Sequence, residues 1–483
     1  MIADGEVDED SEYENSVPGF HGRHAWSEEL SDKNIRTSLK LDFGNASMEN
    51  QRMMKIAPRV HLYVEDEQVT VDNGILKLKI SKPEGQVIGL EYNGIENLLE
   101  FTKGSANTGG YWDVNWDTFG SNKDFHIDLI DGKEFAVIIN NVNQVELSFK
   151  TTWNPSLKAN VPLSIDKRFI VLRGSSGFYA YAIYEHKQDW PGFELQQTRM
   201  AFKLNEDMFR YMALSDYRQR EMPLPEDRDR DRSIVLAYPE AVRIIRPIDP
   251  ECKGEVDDKY QYSTDNEDNK VHGWISSYPP TGFWLITPSN EFRTGGPTKQ
   301  DLTSHVGPTS LTMFVSNHYA GEGLNPKFRK GEHWKKVFGP IFVYLNSSPN
   351  KQSAKSMLWN DAKVQMENEV KSWPYNFPAS ADFQKARIRG SVSGRLMVQD
   401  WIISEGNMAA SWAYIGLAEP GLTGSWQLEC KGYQFWTRAD MNGNFNISNV
   451  RTGVYGLFAW IPNFIGDYKY ENTITITPGK SEQ

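Results

Sequence analysis

From Val60 onwards, apolar and polar residues alternate in short runs that are separated by turn residues. Residues 59–81, RVHLYVEDEQVTVDNGILKLKIS, alternate on both sides of an Asp-Asn-Gly sequence at 72–74, and a second Asn-Gly pair follows at 93–94. Alternation with period two places the apolar side chains on one face of a strand, and Asn-Gly favours a tight hairpin turn. The pattern therefore predicts antiparallel β-hairpins.

The same rhythm continues to about residue 345, and helical periodicity is nearly absent over this span. Many evenly spaced strands with almost no helices predict an all-β fold, a large antiparallel β-sandwich that we assign to residues 56–350. The strand-like segments after the first hairpins are EFAVIINN, QVELSFKTTW, IDKRFIVLRGSSGFYAYAIYEH, QQTRMAFKL, GFWLITP, SLTMFVS and GPIFVYLN.

One helix is predicted at 353–373, within a helix and linker region at 351–383. Its apolar residues recur in one stripe, with Ser353 as the N-cap and Pro374 as the stop. The stripe consists of Leu358, Ala362, Met366, Val370 and Trp373.

A second β region covers 384–483, where six or seven short strands and a hairpin turn at 440–443 have the size of a fibronectin-III-like sandwich. The polar, acidic residues 1–55 lack periodicity, and we expect a disordered extension there.

The amino-acid composition favours some classes of function and argues against others. Aromatic residues make up 12% of the 483 residues, with 15 Trp and 21 Tyr, which is typical of β-proteins that bind sugars, although most of these rings belong to the core. The net charge of −12 argues against a nucleic-acid partner. No apolar run approaches the ~20 residues that span a bilayer. Cys252 and Cys430 have neither disulfide-framework nor zinc-site spacing.

Two stretches concentrate ionisable and aromatic residues, and they are the candidates for a site. Residues 255–275, EVDDKYQYSTDNEDNKVHGWI, contain Lys259, and residues 288–319, PSNEFRTGGPTKQDLTSHVGPTSLTMFVSNHY, contain His318 at the end of an apolar strand. Upstream, Arg199 alternates with apolar neighbours and shares a strand face with Ala201 and Lys203. Each has a plainer interpretation: an ion-pair lysine, a capping or core histidine, and an internally paired arginine.

Two reactions on a glycosidic bond remain open at this point. Hydrolysis needs two carboxylates, and the acidic residues of 257–268 supply candidates, although such a run is more often a solvated turn. β-Elimination from a uronic acid needs a base, a cation that neutralises the carboxylate and an acid for the leaving oxygen. A lysine serves as the base only when burial or nearby cations bring its pKa well below about 10.4.

The two stretches that contain Lys259 and His318, together with MFVSNHYAGE and IDKRFIVLRGSSGFYAYAIYEH, resemble the plant members of the rhamnogalacturonan endolyases, polysaccharide lyase family 4. The resemblance extends from about Pro58 to the end. The resemblance implies β-elimination at the rhamnose–galacturonate bond of rhamnogalacturonan I, which leaves an unsaturated uronate. It also implies a large β-sandwich, a fibronectin-III-like domain and a third, carbohydrate-binding-like domain that is not found here. The substrate implies an extracellular, cell-wall location, although no signal peptide is visible.

The resemblance also assigns roles to residues. Lys259, in Lys-Tyr-Gln-Tyr-Ser, matches the family's base with one extra residue, and His318 matches its acid. Arg199 matches its carboxylate-binding arginine, and Tyr260 and Tyr262 are expected as cleft walls. The family's two tyrosines before the histidine are replaced by Thr312 and Phe314, and Phe314 retains only the capacity to stack on a sugar. His272 is expected to be structural.

The scheme requires no cofactor, and a structural Ca²⁺ is compatible with it. The expected partner is a pectic polysaccharide rather than a nucleic acid or a membrane, and a monomer is expected. Two alternatives stay open: a truncated, non-catalytic carbohydrate-binding homologue, and a glycoside hydrolase.

Overall fold

The alternating segments form strands in this computed structural model, which describes residues 57–121, 124–156, 160–238, 240–402, 405–462, 464 and 466–482. The extension predicted at 1–55 lies outside these residues. Two large antiparallel sheets follow, one in the order β1-β2-β3-β4-β5-β11-β22-β21 with β6 beside β5 and β23 beside β11, the other in the order β13-β12-β18-β19-β24-β10-β9-β8-β7. The all-β prediction is confirmed.

Two small sheets, β14-β15-β16 and β17-β20, accompany the two main sheets. The strands of this large sandwich have the following bounds. They are β1 (His61–Val64), β2 (Gln68–Asp72), β3 (Leu76–Ser81), β4 (Val87–Tyr92), β5 (Gly110–Thr118), β6 (Phe125–Leu129), β7 (Glu134–Asn140), β8 (Gln144–Thr152), β9 (Ser164–Leu172), β10 (Gly177–His186), β11 (Phe193–Lys203), β12 (Phe209–Ala213), β13 (Gln219–Glu221), β14 (Ser233–Val235), β15 (Val242–Ile244), β16 (Val256–Asp257), β17 (Ser263–Asp265), β18 (Val271–Ser276), β19 (Thr281–Ile286), β20 (Gln300–Leu302), β21 (Ser304–His305), β22 (Thr309–Ser316), β23 (Lys327–Phe328) and β24 (Trp334–Ser347).

Aromatic side chains join the two main sheets into one core. Phe202 of β11 lies with its ring centroid 6.1 Å from that of Phe178 in β10 and 5.3 Å from that of Phe283 in β19. Phe314 of β22 lies 5.4 Å from Phe338 of β24 in the same way. Burial of large rings between two sheets is the main driving force for this kind of layer packing. The opposite face of the ten-stranded sheet carries a smaller buried cluster, in which Leu302 of β20 packs on Tyr111 and Leu311, and the site lies on this face.

The predicted helix is confirmed as α1 (Ala354–Ser372). Leu358 and Ala362 of the predicted stripe are buried, and Trp359 packs with its ring centroid 5.6 Å from that of Trp284 in β19. Ser353 does hold the N-cap position, but its side chain makes no capping hydrogen bond. Its hydroxyl instead donates to the sulfur of Met357. Helix α1 therefore packs against the nine-stranded sheet.

The remaining strands build a small sandwich. Its two main sheets, in the orders β30-β25-β33 and β29-β28-β31-β32, enclose a core that includes Val392, Ile415 and Ile447. The turn predicted at 440–443 is present, but it is not a hairpin, because β29 and β30 on its two sides pair in different sheets. The strands are β25 (Arg389–Arg395), β26 (Met397–Val398), β27 (Met408–Ala409), β28 (Tyr414–Ala418), β29 (Phe435–Arg438), β30 (Asn444–Arg451), β31 (Gly453–Trp460), β32 (Asp467–Ile476) and β33 (Ser481–Glu482).

Short 3-10 turns interrupt the loops of both sandwiches. The one that matters for the site is Lys259–Tyr262, directly between β16 and β17. The others are Pro225–Arg228, Pro250–Cys252, Glu322–Leu324, Ala386–Ile388 and Ser425–Leu428.

Candidate functional site

A cleft of about 500 Å³ lies on the face of the ten-stranded sheet that points away from the sandwich core, and we call it the basic cleft. The period of two along β5 explains its floor: Tyr111 and Asp113 line the cleft, whereas Trp112 and Val114 belong to the sandwich core. The basic side chains that line it are Arg199, Lys203, Lys259, His305 and His318. The structure thus brings Lys259, His318 and Arg199 to one groove.

Arg199 is held by a carboxylate that the sequence did not point to. Its Nε and Nη2 donate to both oxygens of Asp113 at 2.8 to 3.1 Å, and Asp113 is 1% exposed. Burial raises the pKa of Asp113, against the lowering effect of Arg199. Burial acts to lower the pKa of Arg199, but the coulombic and hydrogen-bond effects of Asp113 outweigh it and the pKa is raised. Within the described residues Nη1 of Arg199 has no acceptor, which leaves one donor group for a ligand.

Lys259 begins the 3-10 turn that follows β16. Its Nζ lies 3.5 Å from Oε2 of Glu240 and 5.5 Å from the centroid of the Tyr260 ring, and the side chain is 17% exposed. Lys259 therefore forms an ion pair with Glu240 within the basic cleft.

His318 follows β22 and is oriented by the last residue of that strand. Its Nδ1 lies 2.9 Å from Oγ of Ser316, which also accepts from the backbone N–H of His318 at 3.1 Å. Burial lowers the pKa of His318 to about 4, with further lowering by the charges of Lys259, Lys299, Arg199 and His305. The imidazole is therefore neutral at neutral pH. With Nδ1–H donating to Ser316, the other ring nitrogen carries a lone pair.

His305 is a second histidine of the basic cleft, and the sequence analysis did not single it out. Its Nε2 lies 3.1 Å from the same Oε2 of Glu240 that faces Lys259. Burial lowers its pKa to about 4, although Glu240 acts in the opposite direction. The available signal was its position: His305 lies two residues before the Gly-Pro pair at 307–308, inside the predicted partner segment 288–319.

Two of the three predicted aromatic contacts are wrong. Tyr262 is buried and its hydroxyl donates to Asp257 at 2.8 Å, so it stabilises the turn from within and does not line the basic cleft. Phe314 is buried and stacks on Trp112 with ring centroids 5.0 Å apart. Thr309 and Leu311 of β22 line the cleft, and the period of two turns Thr312 and Phe314 to the opposite face.

Tyr260 remains the aromatic neighbour of the site. It is 39% exposed, and its ring centroid lies 5.9 Å from that of His318 and 5.6 Å from that of Tyr319. An exposed tyrosine beside the cleft is suited to stack on a sugar ring.

Three carboxylates of the Lys259 stretch, those of Asp257, Asp258 and Glu267, have structural roles. Asp257 is buried and binds Nη1 of Arg228 at 2.6 Å. Asp258 accepts from the backbone N–H of Tyr260 at 2.7 Å. Glu267 binds Arg438 at 2.9 Å and thereby connects the large sandwich to the small one. These bonds fix the backbone on both sides of Lys259.

His272 and the Gly-Gly-Pro loop also take structural places. His272 is fully buried, with Nε2 2.8 Å from the carbonyl oxygen of Leu311, and burial lowers its pKa to about 3. Gly296 has φ +77°, and a Cβ there would lie 2.5 Å from the ring of Trp426 in the small sandwich. The loop therefore accommodates an inter-sandwich contact at this glycine.

Neither a metal-binding cluster nor a membrane-spanning helix is found among the described residues. Across the described part of the chain, no group of three or more His, Cys, Asp and Glu side chains is arranged to hold a metal ion. Over the same residues, none of the helices is both long enough and apolar enough to cross a bilayer.

Comparison with known proteins gives a consistent result. Residues 47–256 match the model of the rhamnogalacturonate lyase family, and residues 410–483 match the model of polysaccharide lyase family 4, domain II, which is of fibronectin-III type. The rhamnogalacturonate lyase of Dickeya dadantii (strain 3937) is 24% identical over 411 residues, which cover 83% of this chain and 61% of that protein. Rhamnogalacturonate lyase B of Emericella nidulans is 24% identical over 428 residues, 85% of this chain and 60% of the relative.

The chain thus spans about three fifths of the length of these curated relatives. They are bacterial and fungal, so they give no support to the plant grouping suggested by the sequence motifs. Among solved structures, a galactose mutarotase-like protein from Lactobacillus casei matches with a TM-score of 0.33 and 12% identity, over 58% of this chain and all of that one. A likeness at this level carries no argument.

Proposed function

We propose that the chain is a member of the rhamnogalacturonate lyase family, polysaccharide lyase family 4, and that it cleaves the rhamnose–galacturonate bond of rhamnogalacturonan I by β-elimination. The observation that carries the proposal is the convergence of Arg199, Lys259 and His318 on one basic cleft. Such a cleft attracts a polyanionic uronate polymer even though the whole chain has a net charge of −12.

In the proposed reaction Lys259 is the base that removes the proton from C5 of galacturonate. The electron pair forms the C4=C5 double bond, and the C4–O bond to rhamnose breaks. The leaving oxygen takes a proton from His318, so atoms and charges balance. Arg199 binds the uronate carboxylate through Nη1, the group that Asp113 does not occupy, and so stabilises the charge that spreads onto the carboxylate in the transition state.

The scheme requires that His318 is protonated when the substrate is bound. Burial and neighbouring cations lower the pKa of its imidazole to about 4 in the free protein, so the ring is neutral there at neutral pH. A bound uronate brings a negative charge to the same cations, which raises the pKa and favours the protonated ring. We therefore expect the acid form of His318 in the enzyme–substrate complex.

The experiment is incubation of the protein with rhamnogalacturonan I, followed by the ultraviolet absorbance of the unsaturated uronate. A rise in absorbance with the wild type and its loss in Lys259→Ala, which retains the wild-type melting temperature, is the expected result. Lys363→Ala is a matched control. Lys363 lies on helix α1, away from the cleft, and also forms an ion pair, in its case with Asp216. Unchanged turnover in Lys259→Ala contradicts the assignment.

The same experiment separates the alternatives. Binding of the polymer without any absorbance change identifies a non-catalytic carbohydrate-binding homologue. New reducing ends without the absorbance identify a hydrolase. Because the expected substrate is a cell-wall polysaccharide, we further propose an extracellular location, which detection of the protein outside the source cells would test. We also propose a monomeric state, which light scattering of the purified chain would test.

The domain boundaries belong to the same proposal: 56–350 for the catalytic sandwich, 351–383 for helix and linker, and 384–483 for the small sandwich. Limited proteolysis with mass spectrometry of the fragments would test them, since cleavage should concentrate at exposed boundary segments.

A further inference from the structure

Glu240 and Lys259 lie just beyond one end of the small sheet β14-β15-β16. The ladder between β15 and β16 pairs Arg243 with Val256 and Val242 with Asp257. Glu240 precedes β15 and has a positive φ, whereas Lys259 follows β16 and begins a 3-10 turn. The strand pairing therefore brings the two loop segments together, and their side chains form an ion pair with Nζ of Lys259 3.5 Å from Oε2 of Glu240.

Glu240 is held in a conformation that an unrestrained glutamate rarely adopts. Its φ is +64°, in the left-handed region that costs a residue with a Cβ on the order of 1 kcal/mol or more. Its carbonyl oxygen accepts from Nη2 of Arg228, whose Nη1 binds Asp257 at 2.6 Å. One guanidinium therefore fastens both the Glu240 loop and the segment that leads to Lys259. Uncommon backbone geometry of this kind collects at functional sites.

The carboxylate of Glu240 lies among the basic groups that a uronate would need. Its Oε2 is 3.5 Å from Nζ of Lys259 and 3.1 Å from Nε2 of His305. Its charge also acts on Arg199 and Lys203. Glu240 itself is 42% exposed, and a partly exposed ion pair of this length is weak. The contact is therefore one that an incoming anion can replace.

We propose that Glu240 is an exchangeable counter-ion of the basic cleft, which pairs with Lys259 and contacts His305 in the free protein and gives way to the carboxylate of a bound uronate. This inference rests on the proposed function and adds a residue that sets the affinity for the anionic substrate. The two ion pairs of the cleft differ in exposure: Asp113, the partner of Arg199, is buried, whereas Glu240, the partner of Lys259, is partly exposed. Glu240 can therefore be displaced from Lys259 by a substrate carboxylate, whereas Asp113 stays with Arg199.

The test is Glu240→Gln, which keeps the size of the side chain and removes its charge. Binding is measured by calorimetry with two ligands: a rhamnogalacturonan oligosaccharide and the same oligosaccharide with its carboxyl groups reduced. We expect the variant to bind the acidic ligand about three- to tenfold more tightly and the reduced ligand unchanged, with the difference shrinking at high salt. In turnover, KM falls by a similar factor and kcat does not fall.

Glu255→Gln is the matched control, since it removes the same charge near the same sheet, where Glu255 pairs with Arg220 outside the cleft. It should leave both affinities unchanged. Weaker or equal binding of the acidic oligosaccharide by Glu240→Gln overturns the proposal, as does a fall in kcat at constant KM, which would make Glu240 a positioning residue for turnover. A wild-type protein that binds without producing unsaturated uronate refutes the proposed lyase activity alone, because the binding comparison still reports on Glu240.

Discussion

Arg199 and Asp113 are direct cross-strand partners in the pairing of β11 with β5, and their side chains form a two-pronged ion pair across that ladder. Asp113 is 1% and Arg199 16% exposed. The fork of the guanidinium is therefore fixed in place before any ligand arrives. Preorganised charge of this kind loses little on binding, which is what a carboxylate receptor requires.

Asp113→Asn should release Arg199 from this position. A largely buried guanidinium would lose its counter-ion, so we expect the free energy of unfolding to fall by about 3–5 kcal/mol and kcat/KM to fall at least about tenfold. Denaturant unfolding and initial rates measure the two effects. Asp117→Asn on the same strand, where Asp117 accepts from Gln196, is the control and should change both far less. Equal effects of the two substitutions would contradict the role of Asp113.

The pKa of His318 should respond to Lys259. The charge of Lys259 is one of the causes that lower this pKa to about 4, after burial. In Lys259→Ala the pKa therefore rises, but it stays below the ordinary value of about 6.5 because the ring remains buried. An NMR titration of the imidazole signals measures it. A pKa unchanged by Lys259→Ala would show that the two groups do not interact in solution, and the shared cleft would lose its electrostatic basis.

The fold was largely predictable because each element depends on local patterns. Alternation and the turn at 72–74 predict the hairpin of β2 and β3, and the stripe through Leu358 and Ala362 predicts α1. The turn at 440–443 shows the limit of this reasoning. Its residues specify a reversal of the chain, but the pairing of β29 and β30 with other strands depends on the packing of two sheets, which no local pattern contains.

The site was predictable only in part, for a related reason. Family resemblance pointed to Lys259, His318 and Arg199, whereas Asp113 enters through strand pairing with a residue far along the chain and Glu240 through the loop before β15. The errors at Tyr262 and Phe314 concern side-chain orientation, because the sequence does not show whether an aromatic side chain faces a cleft or a core. On β22, Leu311 faces the cleft, so Phe314, three residues later, faces the core. This assignment requires knowing which face of the strand forms the cleft.

Stability should fall as the pH is lowered below about 6.5, through buried histidines. Burial lowers the pKa of His272 to about 3, so between about pH 6.5 and 3 the unfolded chain binds a proton that the folded chain does not. His272 alone then costs about 2 kcal/mol of unfolding free energy between about pH 7 and pH 5. Carboxylates with raised pKa, such as Asp301, act in the opposite direction.

The difference between wild type and His272→Gln isolates this contribution. Denaturant unfolding at several pH values should show a smaller loss of stability on acidification in the variant, whatever its absolute stability. His333→Gln is the control for loss of a histidine, because His333 is 57% exposed and its removal does not disturb the core. Parallel curves for wild type and His272→Gln would refute the buried, neutral state of His272.

Tyr260 and Phe314 should separate substrate binding from stability. Phe314→Ala removes a ring that stacks on Trp112 in the core, so we expect a loss of about 3–5 kcal/mol of unfolding free energy with little change in KM. Tyr260→Ala removes an exposed ring beside His318, so KM should rise severalfold with little change in stability. Kinetics and thermal unfolding of both variants measure this. A raised KM for a stably folded Phe314→Ala would return that residue to the binding surface.

Glu291 should control the junction between the two sandwiches. Its carboxylate accepts from Nη1 and Nη2 of Arg389 at 2.7 and 3.0 Å and from Nε1 of Trp373 at 3.2 Å, and it is 4% exposed. Glu291→Gln leaves the Arg389 charge buried without its counter-ion, so we expect a loss of about 3–5 kcal/mol of unfolding free energy. Because β25, which carries Arg389, belongs to the small sandwich, that part should unfold first, as an earlier transition in hydrogen exchange. Glu67→Gln, which breaks an exposed pair with Lys103, should leave the midpoint of unfolding unchanged. Uniform exchange of both sandwiches in Glu291→Gln would mean that the pair stabilises the chain as a whole and not the junction.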